Sequence, residues 1–291
     1  MTRLLLACCL LLLALPARGD HPLSLWEIKG DKNAVYLLGS VHLLRPKDHP
    51  LPSRIEQAYD DAESIIMEID MDDLDPIATQ AMVNRLGVLN DGRTLRDLLG
   101  SERYAEAEAA AAAMDIPFGL LSQSEPWLAA VTIEQMALAR LGFNPALGVE
   151  MTFSNKAQAD GKPIDGFESI EEQLSFLDGL SADAQSDLLM QTLQEGRQLG
   201  AVMDELIEAW RVGDIDYLES TVLTDIQAFP ELYDVIVADR NTRWVEQIIA
   251  LLNDDDDYLI IVGALHLVGP DGVPALLRAQ GTDVNQLKQT E

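Results

Sequence analysis

Beyond residue 9 the chain has no cysteine, because both of its cysteines, Cys8 and Cys9, stand among the first ten residues. Once those residues are removed, the protein can form no disulfide, thiolate metal site or cysteine nucleophile. Basic side chains are scarce as well: 20 Lys and Arg face 49 Asp and Glu, giving a net charge of −29. So acidic a chain repels nucleic acid and anionic lipid, and neither is expected as a partner. Histidine is rare, four in 291 residues, and aromatic residues make up only 5%. The one long apolar run covers residues 4–15; no later run approaches the roughly 20 residues that a membrane-spanning helix needs. A Gly-x-Ser-x-Gly elbow, a His-Glu-x-x-His helix, a phosphate loop and a dinucleotide fingerprint are all absent, which removes the common serine-hydrolase, zincin and nucleotide-dependent readings.

What is present begins with an export signal. Arg3 supplies a positive end, residues 4–15 an apolar core too short to span a bilayer, and Ala17-Arg18-Gly19 a small-residue cleavage site before Asp20. The expectation is a leader at residues 1–19 and a periplasmic or secreted protein formed by residues 20–291 as a single domain, long enough to bury a core without staples.

Along that remainder, strand-like patterns cluster at the two ends. Leu25-Trp26-Glu27-Ile28, a turn at Gly30-Asp31-Lys32-Asn33 and Ala34-Val35-Tyr36-Leu37-Leu38 predict a β-hairpin. Residues 53–61 suit a helix and residues 64–70 a strand, a compact crossover that favours a parallel pair. The middle reads as helix over residues 102–113, 127–141 and 182–210. It is interrupted by a strand candidate at residues 162–167, with Glu168 and a capping box at Ser169 and Glu172 behind it. Tyr258-Leu259-Ile260-Ile261-Val262 is the last strong strand, and Asp254 to Asp257 before it read as a solvated turn rather than a calcium loop, lacking that loop's alternate spacing. The expected fold class is α/β (α+β): a mixed sheet built from the N- and C-terminal segments, with a helical insertion over roughly residues 76–250 capping its active edge.

Two copies of one short pattern fall where such a sheet would place a site. Gly39-Ser40-Val41-His42 and Gly263-Ala264-Leu265-His266 each follow an apolar strand directly. Ligands of open sheets gather outside strand ends, and a glycine there lets backbone come close to a ligand while the histidine projects into the crevice. Glu68 is the odd member of its strand, an acid directly behind Ile65-Ile66-Met67. A divalent metal accepts neutral imidazole and carboxylate, so His42, His266 and Glu68 could hold Mn, Co or Zn, with Glu68 alternatively the general base toward water. The two imidazoles should then stand within about 7 Å of each other, since ligand bonds to one ion are roughly 2.0 to 2.1 Å. Both, as strand-end residues, are expected to face solvent and to contribute little to stability. His21 and His49 are expected on the surface.

The residues resemble a known family, TraB/GumN, which includes the Tiki metalloproteases and is related to erythromycin-esterase and ChaN haem-binding proteins. The carriers are Tyr36 to His42, Ile65-Ile66-Met67-Glu68, Gly148-Val149-Glu150, Gly161-Lys162-Pro163, Glu171-Glu172-Gln173-Leu174, Asp239-Arg240-Asn241 and Val262 to His266. The resemblance implies a divalent-metal peptidase site on His42, His266 and Glu68, acting on a peptide or protein. It also implies a place for Arg240 at the catalytic centre, where an arginine binds a carboxylate or stabilises an oxyanion; Glu150 and Glu168 are further acidic candidates. Two rivals accompany it. One is a haem or iron protein using the same histidines, which the shortage of aromatic residues disfavours; the other is a non-catalytic interaction protein on the same scaffold.

Overall fold

Alternation along the central strands decides how the sheet is covered. The computed structural model describes residues 21–289, so the leader expected at residues 1–19 lies outside the described residues. In β2 (Ala34–Ser40), Tyr36 and Leu38 join Ile65, Met67, Leu259 and Ile261 in one buried cluster. Val35 and Leu37 join Ile66, Ile260 and Val262 in another, with Trp244 and Ile248. Successive side chains point to opposite faces, so these strands are apolar on both sides, as parallel strands buried between helices must be.

The architecture is α/β. Six strands form one mixed sheet in the order β4-β3-β5-β2-β1-β6. The others are β1 (Pro22–Lys29), β3 (Ser64–Ile69), β4 (Ile164–Glu168), β5 (Tyr258–Gly263) and β6 (Val284–Lys288). The predicted hairpin forms, with Leu25 opposite Leu38. β2, β5, β3 and β4 run parallel, with Leu37 beside Ile260, Ile66 beside Ile260 and Ile69 beside Glu168. The crossover through Ser53–Asp61 does set β3 parallel to β2, but the two are not neighbours, because β5 is inserted between them. β6, which the sequence pattern did not mark, pairs antiparallel with β1 at the edge.

Between β3 and β5 the chain is helical apart from β4. The helices Leu95–Ala112, Pro126–Arg140 and Ala182–Glu195 enclose their own buried cluster, including Tyr104, Phe118, Ile133 and Leu189. The expected helix over 182–210 is two helices, because the chain breaks after Glu195 and resumes as Leu199–Arg211. Trp210, from the second of these, is fully buried and donates its indole N–H to the Gly39 carbonyl at 2.6 Å, fastening the end of β2. Asp254 to Asp257 form an exposed turn, yet Asp257 accepts the Ala34 N–H at 2.6 Å and Lys32 meets Asp255 at 2.6 Å, which ties that turn to the hairpin. His49 is half-buried rather than on the surface, its Nε2 2.9 Å from the Leu147 carbonyl; His21 is half-buried as well.

The helix Val149–Asp160 comes up against the chain just past β2, where the Val149 N–H reaches the Val41 carbonyl at 3.2 Å. A Cβ on Gly148 would lie 2.1 Å from the His42 carbonyl oxygen, backbone that cannot move aside cheaply. Glycine is required there by close approach. Gly148→Ala should therefore cost about 1–3 kcal/mol, the usual range for overpacking, read as a lower urea midpoint at unchanged m-value; an unaltered midpoint would mean that this contact is loose.

Candidate active site at the carboxyl edge of the sheet

Four parallel strands deliver one polar residue each to a single edge. β2 ends at Ser40 and leads to His42; β3 carries Glu68; β4 ends with Glu168; β5 ends at Gly263 and passes into the turn Ala264–Leu267, which carries His266. Side-chain alternation puts Glu68 on the face of Ile66, under the helix Asp239–Leu251 that bears Arg240, Asn241 and Trp244. Ser40 falls on the opposite face, against the helix Val149–Asp160 and its Glu150. Residues from both faces thus meet over the ends of β2 and β5.

Gly263 marks the meeting point. A Cβ there would lie 3.3 Å from Glu68 Oε1, 3.5 Å from His266 Cδ2 and 3.7 Å from His42 Nε2. The side chain that glycine lacks would fill the space the three share. Its N–H also donates to Glu68 Oε1 at 2.7 Å.

The two histidines differ in environment. His266 is only 5% exposed, packed on the Trp244 ring with centroids 4.5 Å apart, which overturns the expectation of a solvent-facing residue. Its Nδ1 is 2.7 Å from Asn241 Oδ1. The Asn241 amide nitrogen is turned to the Asp271 carbonyl at 2.8 Å, so the amide oxygen is the acceptor, Nδ1 carries the proton and Nε2 keeps its lone pair. Burial, aided by the charge of Arg240, pushes the His266 imidazole down to about 3, so it is neutral. His42, whose side chain is 62% exposed, holds Nδ1 2.6 Å from Glu150 Oε1, and that carboxylate raises its pKa well above the ordinary value. Burial alone would raise the Glu150 carboxyl, but His42 and the Ser40 hydroxyl, which donates to it, outweigh burial and keep it ionised.

Arg240 lies beneath these groups with every N–H engaged. Nε donates to Glu168 Oε2 at 2.9 Å, and Nη2 donates to Glu168 Oε2 at 2.8 Å and to Glu68 Oε2 at 2.6 Å. Nη1 donates to the Ile236 carbonyl at 3.2 Å and meets His266 Nε2 at 3.1 Å. Glu168 also accepts from Arg243 at 3.0 Å and from the Trp244 indole at 3.2 Å. Burial works against the charge of Glu68, but His266, Arg240 and His42 around it and the Gly263 N–H hold its carboxyl far below the usual range. Since His266 is itself neutral, the guanidinium is the dominant partner. The Gln173 amide adds a donor to Glu68 at 3.1 Å.

A cavity of about 700 Å³ opens over this edge, within the range of small-ligand sites. His42, Glu68, Glu150 and Gln173 line it beside apolar side chains such as Met67, Met71, Leu138 and Phe143. His266, Glu168 and Arg240 are not in its lining. The structure therefore brings His42, Glu68, His266 and Arg240 close together, with Arg240 turned inward and out of the cavity lining. Gln173 and Ser40 gained no role from the sequence; a glutamine on the first turn after a capping box and a serine inside a glycine motif carry no distinguishing signal.

The donor types suit a divalent cation. Glu68 Oε1 and His266 Nε2 stand 3.7 Å apart, compatible with two ligands whose bonds to one ion are about 2.0–2.2 Å. Each imidazole has Nδ1 tied to an oxygen acceptor, the arrangement that orients metal-binding histidines. Among the described residues, no three His, Asp or Glu side chains are drawn together as a finished ligand group, and Arg240 competes for His266 Nε2.

YbaP, an uncharacterized protein of Escherichia coli (strain K12), is 25% identical over 265 residues, covering 90% of this chain and 95% of the relative. An uncharacterized protein of Treponema pallidum (strain Nichols) is 24% identical over 288 residues, covering 94% and 86%. Metalloprotease TIKI2 of Danio rerio is 22% identical over 321 residues, covering 92% of this chain but 61% of that protein. No solved structure matches the chain significantly. Because the TraB/PrgY/gumN family matches residues 24–286, a span holding both Gly-x-x-His motifs, Glu68 and Arg240, the chain belongs to the TraB/PrgY/gumN family.

Proposed function

We propose that this protein is an exported hydrolase that cleaves peptide bonds at the floor of the cavity beside His42, with a divalent metal held by His42, His266 and Glu68. The observation that carries the reading is the approach of both Gly-x-x-His imidazoles and the Glu68 carboxylate to one point at Gly263. The name of the TIKI2 relative, a metalloprotease, supports the reaction class. Mn, Co or Zn held there would supply a Lewis acid for carbonyl and water.

The chain's own groups prepare that chemistry. Glu150 fixes the His42 ring through Nδ1, so that Nε2 is the nitrogen presented to the cavity. Asn241 fixes His266 in the tautomer with a free Nε2 lone pair. Arg240 and Gln173 keep Glu68 ionised and aimed, ready to ligate or to accept a proton from water. Arg240 is a positioning residue, held in turn by Glu168. A metal-free form of the same reaction, with the His42 imidazolium as general acid toward the leaving amine, is favoured by one contact, that of Arg240 with His266 Nε2.

Four outcomes follow. His42→Ala should abolish both metal binding and peptide cleavage while leaving the melting temperature of the metal-free protein nearly unchanged, since that side chain is largely exposed; cleavage that persists in EDTA but fails in His42→Ala would establish the metal-free form. Glu68→Gln should abolish turnover, and calorimetry with Mn, Co and Zn separates its roles: retained affinity marks a base, lost affinity a ligand.

Metal affinity should rise with pH from 6 to 9, because a cation must displace the proton that Glu150 holds on His42. A flat profile would place His42 outside the ligand set. Finally, His266 is neutral in the folded protein down to about pH 3 but protonates near 6.5 when unfolded. The unfolded state then binds the extra proton, so stability is lost as pH falls through that window, by up to about 1.4 kcal/mol per unit. Urea midpoints between pH 7 and pH 4 should fall less steeply in His266→Gln than in the wild type, although that variant starts lower; parallel slopes would mean that His266 accepts a proton in the fold.

A further inference from the structure

The cavity's charges do not balance. Its lining contains three carboxylates, Glu68, Glu134 and Glu150, and no lysine or arginine. Two of the three are satisfied within the protein: Glu150 by His42 and Ser40, Glu68 by Arg240, Gln173 and the Gly263 N–H. Glu134, on the cavity wall formed by the helix Pro126–Arg140, has neither a hydrogen bond nor an ion pair among the described residues.

The position of Glu134 differs from that of an ordinary carboxylate on a helix face. It lines a second, small hollow as well, together with Glu195, and it stands within electrostatic reach of His42. Its side chain is exposed to the concavity, where the surrounding protein and the like charge of Glu195 both raise its carboxyl, so the ionised form is held at a cost that a cation would relieve. Beside Gln135, the neighbouring lining is largely apolar, with Val131, Leu138, Met71 and Met151. Methionines there adapt to different side chains.

We propose that Glu134 is a specificity-determining residue that selects a peptide carrying a positive charge, a lysine or arginine side chain or a free amino terminus, beside apolar residues that fill the cavity. Glu134 and His42 line the same cavity, so the cation and the bond presented to His42 belong to one bound peptide. The cleavage half of this statement rests on the hydrolase reading; the binding half does not.

The test uses the full mature protein and blocked apolar hexapeptides identical except for one lysine, norleucine or glutamate, followed by fluorescence anisotropy for binding and mass spectrometry for cleavage. The lysine peptide should bind about tenfold more tightly than the norleucine peptide, the glutamate peptide worst, and the preference should shrink as salt is raised. In Glu134→Gln the lysine-to-norleucine ratio should collapse toward one, and in Glu134→Lys the glutamate peptide should become the preferred one. Melting temperatures check that both variants fold, which an exposed helix position permits. A lysine preference that survives both substitutions, or none in the wild type, overturns the proposal. Glu134-dependent preference without cleavage under Mn, Co or Zn would sustain it and defeat the hydrolase reading, whereas cleavage indifferent to charge would do the reverse.

Discussion

One guanidinium holds the site together. Arg240 is buried and spends all five of its N–H groups on Glu68, Glu168, His266 and the Ile236 carbonyl just before its helix. Without it, two carboxylates would lie close together out of water, an arrangement that neither water nor a neutral donor compensates. The planar fork also fixes angles, so a single side chain sets the relative positions of β3, β4 and the turn after β5. It imposes a division of charge as well: Glu68 is kept ionised and His266 neutral, while His42, on the far side, is left to Glu150. Below the cavity floor every polar group is answered; at the floor, His42 remains open.

The candidate site was readable because its signals are local. An apolar run followed by glycine and histidine needs no knowledge of distant residues, and β2 and β5 end where those patterns place them. Glu68 stood out as an acid directly behind the apolar run Ile65-Ile66-Met67. What escaped is non-local. That His266 is buried depends on Trp244, a residue of an amphipathic helix whose facing partner no periodicity names. Arg240 and Asn241 drew notice as a pair, but only the packing of their helix onto the sheet shows that they point into the protein. Strand order escaped for the same reason: residues 34–38 and 64–70 read as a parallel pair, and nothing local says that a third strand lies between them. β6, with Val284 its only buried residue, offered too weak an alternation to be marked.

The helical middle does two jobs through separate surfaces. Its own cluster around Leu95, Ile133 and Leu189 makes the helices a packed body rather than a loose lid. The helix Pro126–Arg140 then turns another side, with Val131, Glu134 and Leu138, toward the cavity. The sheet edge supplies the cluster of titratable groups, and the insertion supplies one wall of the cavity over it. Variation among relatives in what they act on could thus be written into that helix without touching the strands.

The place of β5 has a consequence for the order of events in the life of the chain. Leu37 and Ile66 both pair with Ile260, so the two N-terminal strands of the parallel layer are joined only through a strand made near the end of synthesis. Loops of this length close slowly, and nothing earlier in the sequence stands in for the missing strand. Until that last segment arrives, His42 and Glu68 are held by no common frame and His266 has no pocket. The cluster at the carboxyl edge is thus among the last parts of the molecule that can assemble, whatever the earlier segments have already built.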